Sequence, residues 1–466
     1  MRITKIAASL MTLGMAVSPF AHATNGMNME GYGPVAASMG GASMAYDNGT
    51  AAVMNNPATL GLMQEGSRVD VALGLLAPAI TSKMPGASAD SEATAFYMPA
   101  MGYVKKSGKF TYGAGVFSQG GMGTEYSATS FLAAGSGEKV RSEVGVGRFI
   151  VPLAYQVDDK ITVAGSLDFV WAGMDLKMAL SGGQFMDMVS SFGGTQTYGS
   201  ASGSMVNTLA GAFGAGQLTG LNWARIDFSN SSAFTGQAKG DGFAFKLGGT
   251  FKVSSQLTLG ATYHSKTSLG DLTTTGATMS MNVTGPAVGG GPVTIPVKGS
   301  VAVHNFQWPQ TIAFGAAFQA SDNLLLVADY KNIGWKEVMK NFGMTFTADG
   351  GAPMGMAGQS VDMTLNQNWA DQNVFQFGAA FKTSDVLTVR GGVNIANNPV
   401  PDQYMHPLFP AIAKNHVTLG MGYAISKASN IDFAYVYVPK VSATNGSGVT
   451  VDFGGYSAQL LFSNMF

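Results

Sequence analysis

Eight charged side chains fall on the small or polar side of segments that otherwise alternate. They are Arg148, Lys246, Lys331 and Arg390, and Asp70, Asp168, Asp329 and Asp432. Basic and acidic residues sharing one face can pair with each other or with a neighbouring segment. Alternatively, one cation can receive a ligand carboxylate, a task for which the guanidinium fork of Arg148 or Arg390 suits better than Lys246. This is chemistry of binding rather than bond breaking. His264 and His416 fall on the same side, but with five His and no Cys nothing supplies second ligands at zinc spacing, so neither metal nor cofactor is expected. No G-x-S-x-G element occurs, and Gly289-Gly290-Gly291 is followed by neither Lys nor a helical pattern, so hydrolase and phosphate-loop chemistry are not indicated.

A second group is apolar. In the long join 179–238, Phe185, Met186, Met188, Val189 and Phe192 lie at helical spacing, as do Met205, Val206, Leu209 and Phe213, with Leu218, Leu221, Trp223 and Ile226 following. So much apolar surface in a connection marks an interaction site. Two readings stay open: two short helices packing on each other, or a groove for an apolar ligand, with Met giving an adaptable lining. For the groove the candidate residues are Phe192, Phe213, Leu221 and Trp223, with Arg225 as the cation should the ligand be an acid. The join 270–298 is the expected neighbour.

The elements that position these residues follow from composition. Only 11% of the 466 residues are charged while 46% are hydrophobic, too little charge for an ordinary soluble surface. No stretch after the leader holds 18 uninterrupted apolar residues, so a helical bundle in the membrane is excluded. What remains is alternation: Val417, Leu419, Met421, Tyr423 and Ile425 in one segment, Leu387, Val389, Val393 and Ile395 in another, Phe243, Phe245, Leu247, Phe251 and Val253 in a third. About fourteen such strands fit between 67 and 466. Short polar turns (105–109, 157–160, 254–256, 321–323, 384–385, 426–429) alternate with long joins. The expectation is an all-β fold, a 14-stranded antiparallel transmembrane β-barrel with tight turns on the periplasmic side and long loops outside. Arg2 and Lys5, the apolar run Ile6–Val17 and Ala21-His22-Ala23 read as a signal peptide, 1–23. A net charge of −1 gives no footprint for nucleic acid.

Residues 24–66 do not alternate and precede the first strand, as a plug filling the lumen would. Within them Gly40-Gly41-Ala42, Ala45-Tyr46-Asp47-Asn48 and Asn55-Asn56-Pro57-Ala58-Thr59-Leu60 resemble the plug of the FadL-type outer-membrane transporters of long-chain fatty acids and hydrocarbons. Physically, Pro57 fixes φ and disfavours helix at Asn56, whose side chain can satisfy turn backbone groups. The resemblance implies uptake of hydrophobic small molecules across the outer membrane, with Asn56, Pro57 and Ala58 holding the plug. It also implies lateral release at a kink in the third strand, where Gly120, Gly121 and Gly123 stand. Expected partners are the apolar ligand, outer-membrane lipid and lipopolysaccharide, and, through the terminal Phe466, the barrel assembly machinery; the protein is expected to be a monomer. A non-transport surface barrel, adhesive or structural, is the competing reading, and the residues alone do not choose between an acid and a hydrocarbon.

Overall fold

The computed structural model describes residues 25–232 and 235–466; the expected leader, 1–23, lies outside them. The chain forms β1 (Gly66–Met84), β2 (Ala87–Asp90), β3 (Phe96–Ser107), β4 (Phe110–Tyr126), β5 (Val140–Gln156) and β6 (Ile161–Ser181). Then come β7 (Gly199–Ser202), β8 (Gly220–Phe228), β9 (Ala238–Lys252), β10 (Leu257–His264), β11 (Ser268–Leu269), β12 (Leu272–Thr284), β13 (Val293–His304) and β14 (Thr311–Ser321). The remainder are β15 (Leu324–Ile333), β16 (Asn341–Ala348), β17 (Ser360–Asn366), β18 (Gln372–Lys382), β19 (Leu387–Ala396), β20 (Asn415–Ala424), β21 (Ser429–Thr444) and β22 (Thr450–Met465). All pairing is antiparallel, and the sheet closes where β1 meets β22, from Arg68↔Met465 to Lys83↔Thr450.

Counted with β8 and β12 the ring carries 16 strands rather than the fourteen expected; below these two, fourteen strands close it. Near the short turns β6 pairs directly with β9, from Ile161↔Phe251 upward. At the other end β8 and β12 are wedged between them, β8 lying against β6 and β12 against β8 and β9. The joins 179–238 and 270–298 are therefore not loops throughout. The first contains β7, β8 and the helices Gly182–Asp187 and Ser204–Gly214, and the second is the hairpin of β12 and β13. With β16 and β17 these strands extend one side of the barrel outward as a sheet.

The alternation has the anticipated sense. Phe243, Leu247, Leu419 and Phe462 are exposed, whereas the intervening Lys246, His416 and Thr418 are buried. The first strand begins at Gly66, one residue inside the expected 24–66 segment. The rest of that segment lies against the inner face of the ring. Ser43 and Met44 donate backbone N–H groups to Asp329 at 2.6 and 3.0 Å, Thr50 N–H to Asp70 at 2.7 Å, and Gly40 N–H to Thr418 at 2.9 Å.

Candidate functional site

Asn56 caps the 3-10 turn Pro57–Leu62: its Oδ1 accepts from the Ala58 N–H at 3.1 Å, with Pro57 at the first helical position, where its missing donor costs nothing. Its Nδ2 donates to Met44 O at 2.8 Å within the segment and to Gly249 O at 3.3 Å on β9. One amide thus shapes the turn and fixes it to the wall.

Three of the four inward cations are ion-paired. Asp168 accepts from Arg148 Nη1 at 2.7 Å and also from Lys246, and Arg148 Nε donates to Gln119. Arg390 donates to Asp432 at 2.7 Å, and Lys331 donates to the Glu30 carbonyl at 3.3 Å. Arg148, Lys246 and Arg390 are each committed to an aspartate. The two histidines bond locally, His264 Nε2 with Asn55 O and His416 Nδ1 with Asn394 Oδ1.

The apolar candidates divide. Phe192 and Phe213 meet edge to face, ring centroids 5.4 Å apart, so the two helical stretches of the join do pack together. Trp223 and Arg225 are elsewhere, on β8. Ala224 and Ile226 take its buried side, so Trp223 and Arg225 lie on the opposite face, where Arg225 donates to Asp227 at 3.1 Å. A register shift at Asn222, opposite Asn282 and Val283, returns Leu221 to the buried side, away from Trp223.

A large cavity lies at the glycines of β4. It measures about 730 Å³ and is lined by Gly120–Gly123, by the inward residues Ile80, Met98, Val144 and Val146, and by the outward residues Tyr97, Phe169 and Trp171. Side chains from both faces of the wall line it because the wall is breached there. β3 and β4 pair from Ser107↔Phe110 only as far as Ala100↔Phe117, although β3 continues to Phe96 alongside β1 and β4 to Tyr126 alongside β5. Two sequence features cause the break. Pro99 is the next residue of β3; its carbonyl accepts from Ser118 Oγ on β4, so the missing N–H is one that would have pointed at β4. On β4 a register shift between Ser118 and Gly120 turns the strand inward. There Gly121 N–H donates to Met27 O at 3.1 Å and Gly120 bridges Asn28. A Cβ on Gly120 would strike the Met27 carbonyl, which explains the glycine. Of the ligand candidates named above (Phe192, Phe213, Leu221, Trp223, Arg225, Arg148, Lys246 and Arg390) none is among the described residues lining this cavity; Gly120, Gly121 and Gly123 are.

Pattern reading missed Pro99 and the tryptophan column beside the segment. Trp308, Trp335 and Trp369 are fully buried and stack edge to face, with centroids 5.7 and 5.3 Å apart. Trp308 Nε1 donates to Asn28 Oδ1 at 2.6 Å, directly behind the bridge to Gly120.

Comparison with known proteins agrees with this architecture. A family model described as outer membrane protein transport protein (OMPP1/FadL/TodX) matches residues 14–458. The P. putida toluene transporter TodX is similar in structure at a TM-score of 0.80 and 28% identity, covering 94% of this chain and 99% of its own. The Ralstonia pickettii toluene transporter TbuX gives 0.74 and 31%, with the same coverage. A Pseudomonas aeruginosa FadL homologue, at 0.64 and 14% over 95% of this chain and 99% of its own, shares the fold. A curated relative from Chlorobium limicola, an uncharacterized protein in the phosphoenolpyruvate carboxykinase gene 5' region, is 45% identical over 97 residues, 20% of this chain. The chain spans about half (48%) of that relative's length.

Proposed function

The chain belongs to the outer membrane protein transport protein family (OMPP1/FadL/TodX), and on that premise we propose that it takes up small neutral hydrophobic compounds, releasing them sideways through the breach between β3 and β4. The observation that carries this reading is the cavity lined from both faces of the wall. An apolar molecule leaving through water would forfeit about 0.8 kcal/mol per CH₂, a cost that an opening into the bilayer avoids. Residues 25–63 act as the plug: they occupy the inner face and leave the breach as the low-resistance exit. Neutral hydrocarbons are favoured over fatty acids because Arg148, Lys246 and Arg390 are held by Asp168 and Asp432, and because two structurally similar proteins are toluene transporters.

The test is uptake of radiolabelled toluene and oleate by cells with and without the protein in their outer membrane. Toluene uptake should rise well above the protein-free rate and oleate uptake should not; equal toluene rates would overturn the proposal. Because the chain has no Cys, a Pro99→Cys/Ser118→Cys pair can be oxidised across the start of the breach. Uptake should fall on oxidation and return on reduction.

A further inference from the structure

On the outer face of the wall the side chains change in a regular way up β5 and β6. Paired across these strands are Val151 with Leu167, then Phe149 with Phe169, then Gly147 with Trp171, then Gly145 with Gly173, then Glu143 with Asp175. The lower pairs are lipid-facing: Val151, Leu167, Phe149, Phe169 and Trp171 are all exposed. The top pair is charged and marks the end of the apolar girdle. Between girdle and charge the row has no side chains, and it continues to β4, where Gly121 pairs with Gly145. Gly121, Gly145 and Gly173 therefore form a side-chain-free row across three adjacent strands, ended on β9 by Lys239 opposite Gly173, and all four line the cavity.

The glycines differ in what they leave open. Gly147 lies beneath the Trp171 indole, an aromatic ring covering a glycine backbone. A Cβ on Gly145 would meet nothing within 4 Å, so the space above it is empty. Backbone geometry does not demand glycine at 145, which has no positive φ, unlike Gly120. Packing does not demand it either. What the missing side chain provides is a trough running from the breach across the outside of β5, walled by Phe169 and Trp171.

We propose that this trough is a discharge site for a planar aromatic hydrocarbon, which lies on Gly145 against the Trp171 and Phe169 rings before entering the bilayer. Planarity fits a slot one residue row wide, and the exposed rings offer faces and edges for offset or edge-to-face contact. The site ends at Glu143, which is paired with Arg141, and at Asp175, which is buried and accepts from Ser229, Asn230 and Gln237. The proposal rests on the lateral route described above and adds to it the ligand's shape and the residues that select it.

The test compares uptake of toluene and of cyclohexane, similar in size but not planar, in two variants. Gly145→Val places a strand-favouring side chain in empty space, so heat-modifiable mobility on gels should stay that of the parent. Uptake of both compounds should drop on the order of tenfold, as expected for a group filling an occupied site. Trp171→Leu should lower toluene uptake about threefold while cyclohexane uptake holds, in line with the value of one aromatic contact. If Gly145→Val leaves both rates unchanged, the discharge site is wrong, whereas the lateral route stands or falls with the Pro99→Cys/Ser118→Cys pair. If Gly145→Val blocks uptake but Trp171→Leu lowers both compounds alike or neither, the route stands and the aromatic discharge site is wrong, the trough then holding a lipid acyl chain.

Discussion

The lower ring and the outward extension belong to one antiparallel sheet, but the face that carries the apolar side chains is exchanged between them. On β6 the inward row reads Asp168, then Val170, Ala172, Met174, Leu176 and Met178, all buried. Low in the ring the inside is polar and ion-paired while Leu167 and Phe169 face out. High on the extension the inside is apolar, with Met279 and Met281 of β12 and Phe346 of β16 buried, and Ser280, Asn282 and Thr345 on the other face. A strand needs only one apolar face to be held. Where lipid covers the outside, the inside is free to carry charge; where water covers the outside, the inside must supply the hydrophobic burial. The level at which a strand changes over marks the top of the membrane, and the glycine row sits at that changeover.

This contrast can be broken most severely from below. Removing residues 25–63 strips the inward carboxylates Asp70 and Asp329 of their backbone partners and opens the polar interior. Ion conductance in planar bilayers should rise severalfold, and unchanged conductance would contradict the plug role. Next in size is Asp168→Ala, which leaves Arg148 and Lys246 buried without their counter-charge at a cost of about 3–5 kcal/mol. Denaturant unfolding in detergent would register it, and the conservative Asp168→Asn should restore part of the loss.

The loop 398–412 should respond to acid through a half-buried imidazole. Burial pushes His406 down to about 4, and its ring packs against Phe409 at 6.0 Å. The folded loop holds His406 neutral, whereas in the unfolded chain it binds a proton near 6.5. The stability that this group contributes is complete above 6.5 and is lost as pH falls toward 4. Amide exchange across 398–412 should therefore quicken between pH 6.5 and 4, and His406→Gln should remove that dependence. The smallest effect belongs to Met279→Leu in the apolar interior, a volume-conserving exchange costing less than about 1.5 kcal/mol. A larger loss in thermal unfolding would mean that this interior depends on shape rather than on burial alone.

Much of the lower ring could be read from residue types. Phe243 to Val253 and Val417 to Ile425 alternate cleanly, and short polar turns such as Ser254-Ser255-Gln256 fix where the strands reverse. The extension was harder to read because alternation does not say which face is inside: Met279, Met281 and Val283 of β12 have the same period as a lipid-facing strand but point the other way. Trp223 and Leu221 share apolar character in the sequence, and the register shift at Asn222 separates them. Gly120–Gly123 could be singled out from their density alone. Pro99 and Gly145 could not, since a proline in β3 and a glycine in β5 acquire meaning only once the neighbouring strands are known.

The bonds that hold the first forty residues of the structure also bear on how the ring is sealed. Closing the seam between β1 and β22 joins Ser67 to Phe466 through two backbone hydrogen bonds, a contact between the first strand and the last. Such distant pairing is entropically late, because the loop to be closed is nearly the whole sequence. Yet Gly40 already reaches Thr418 across a separation of 378 residues, and Ser43 reaches Asp329 across 286. Once these bonds form, the two edge strands are tethered, and the search left to the seam is that of a short chain rather than a long one.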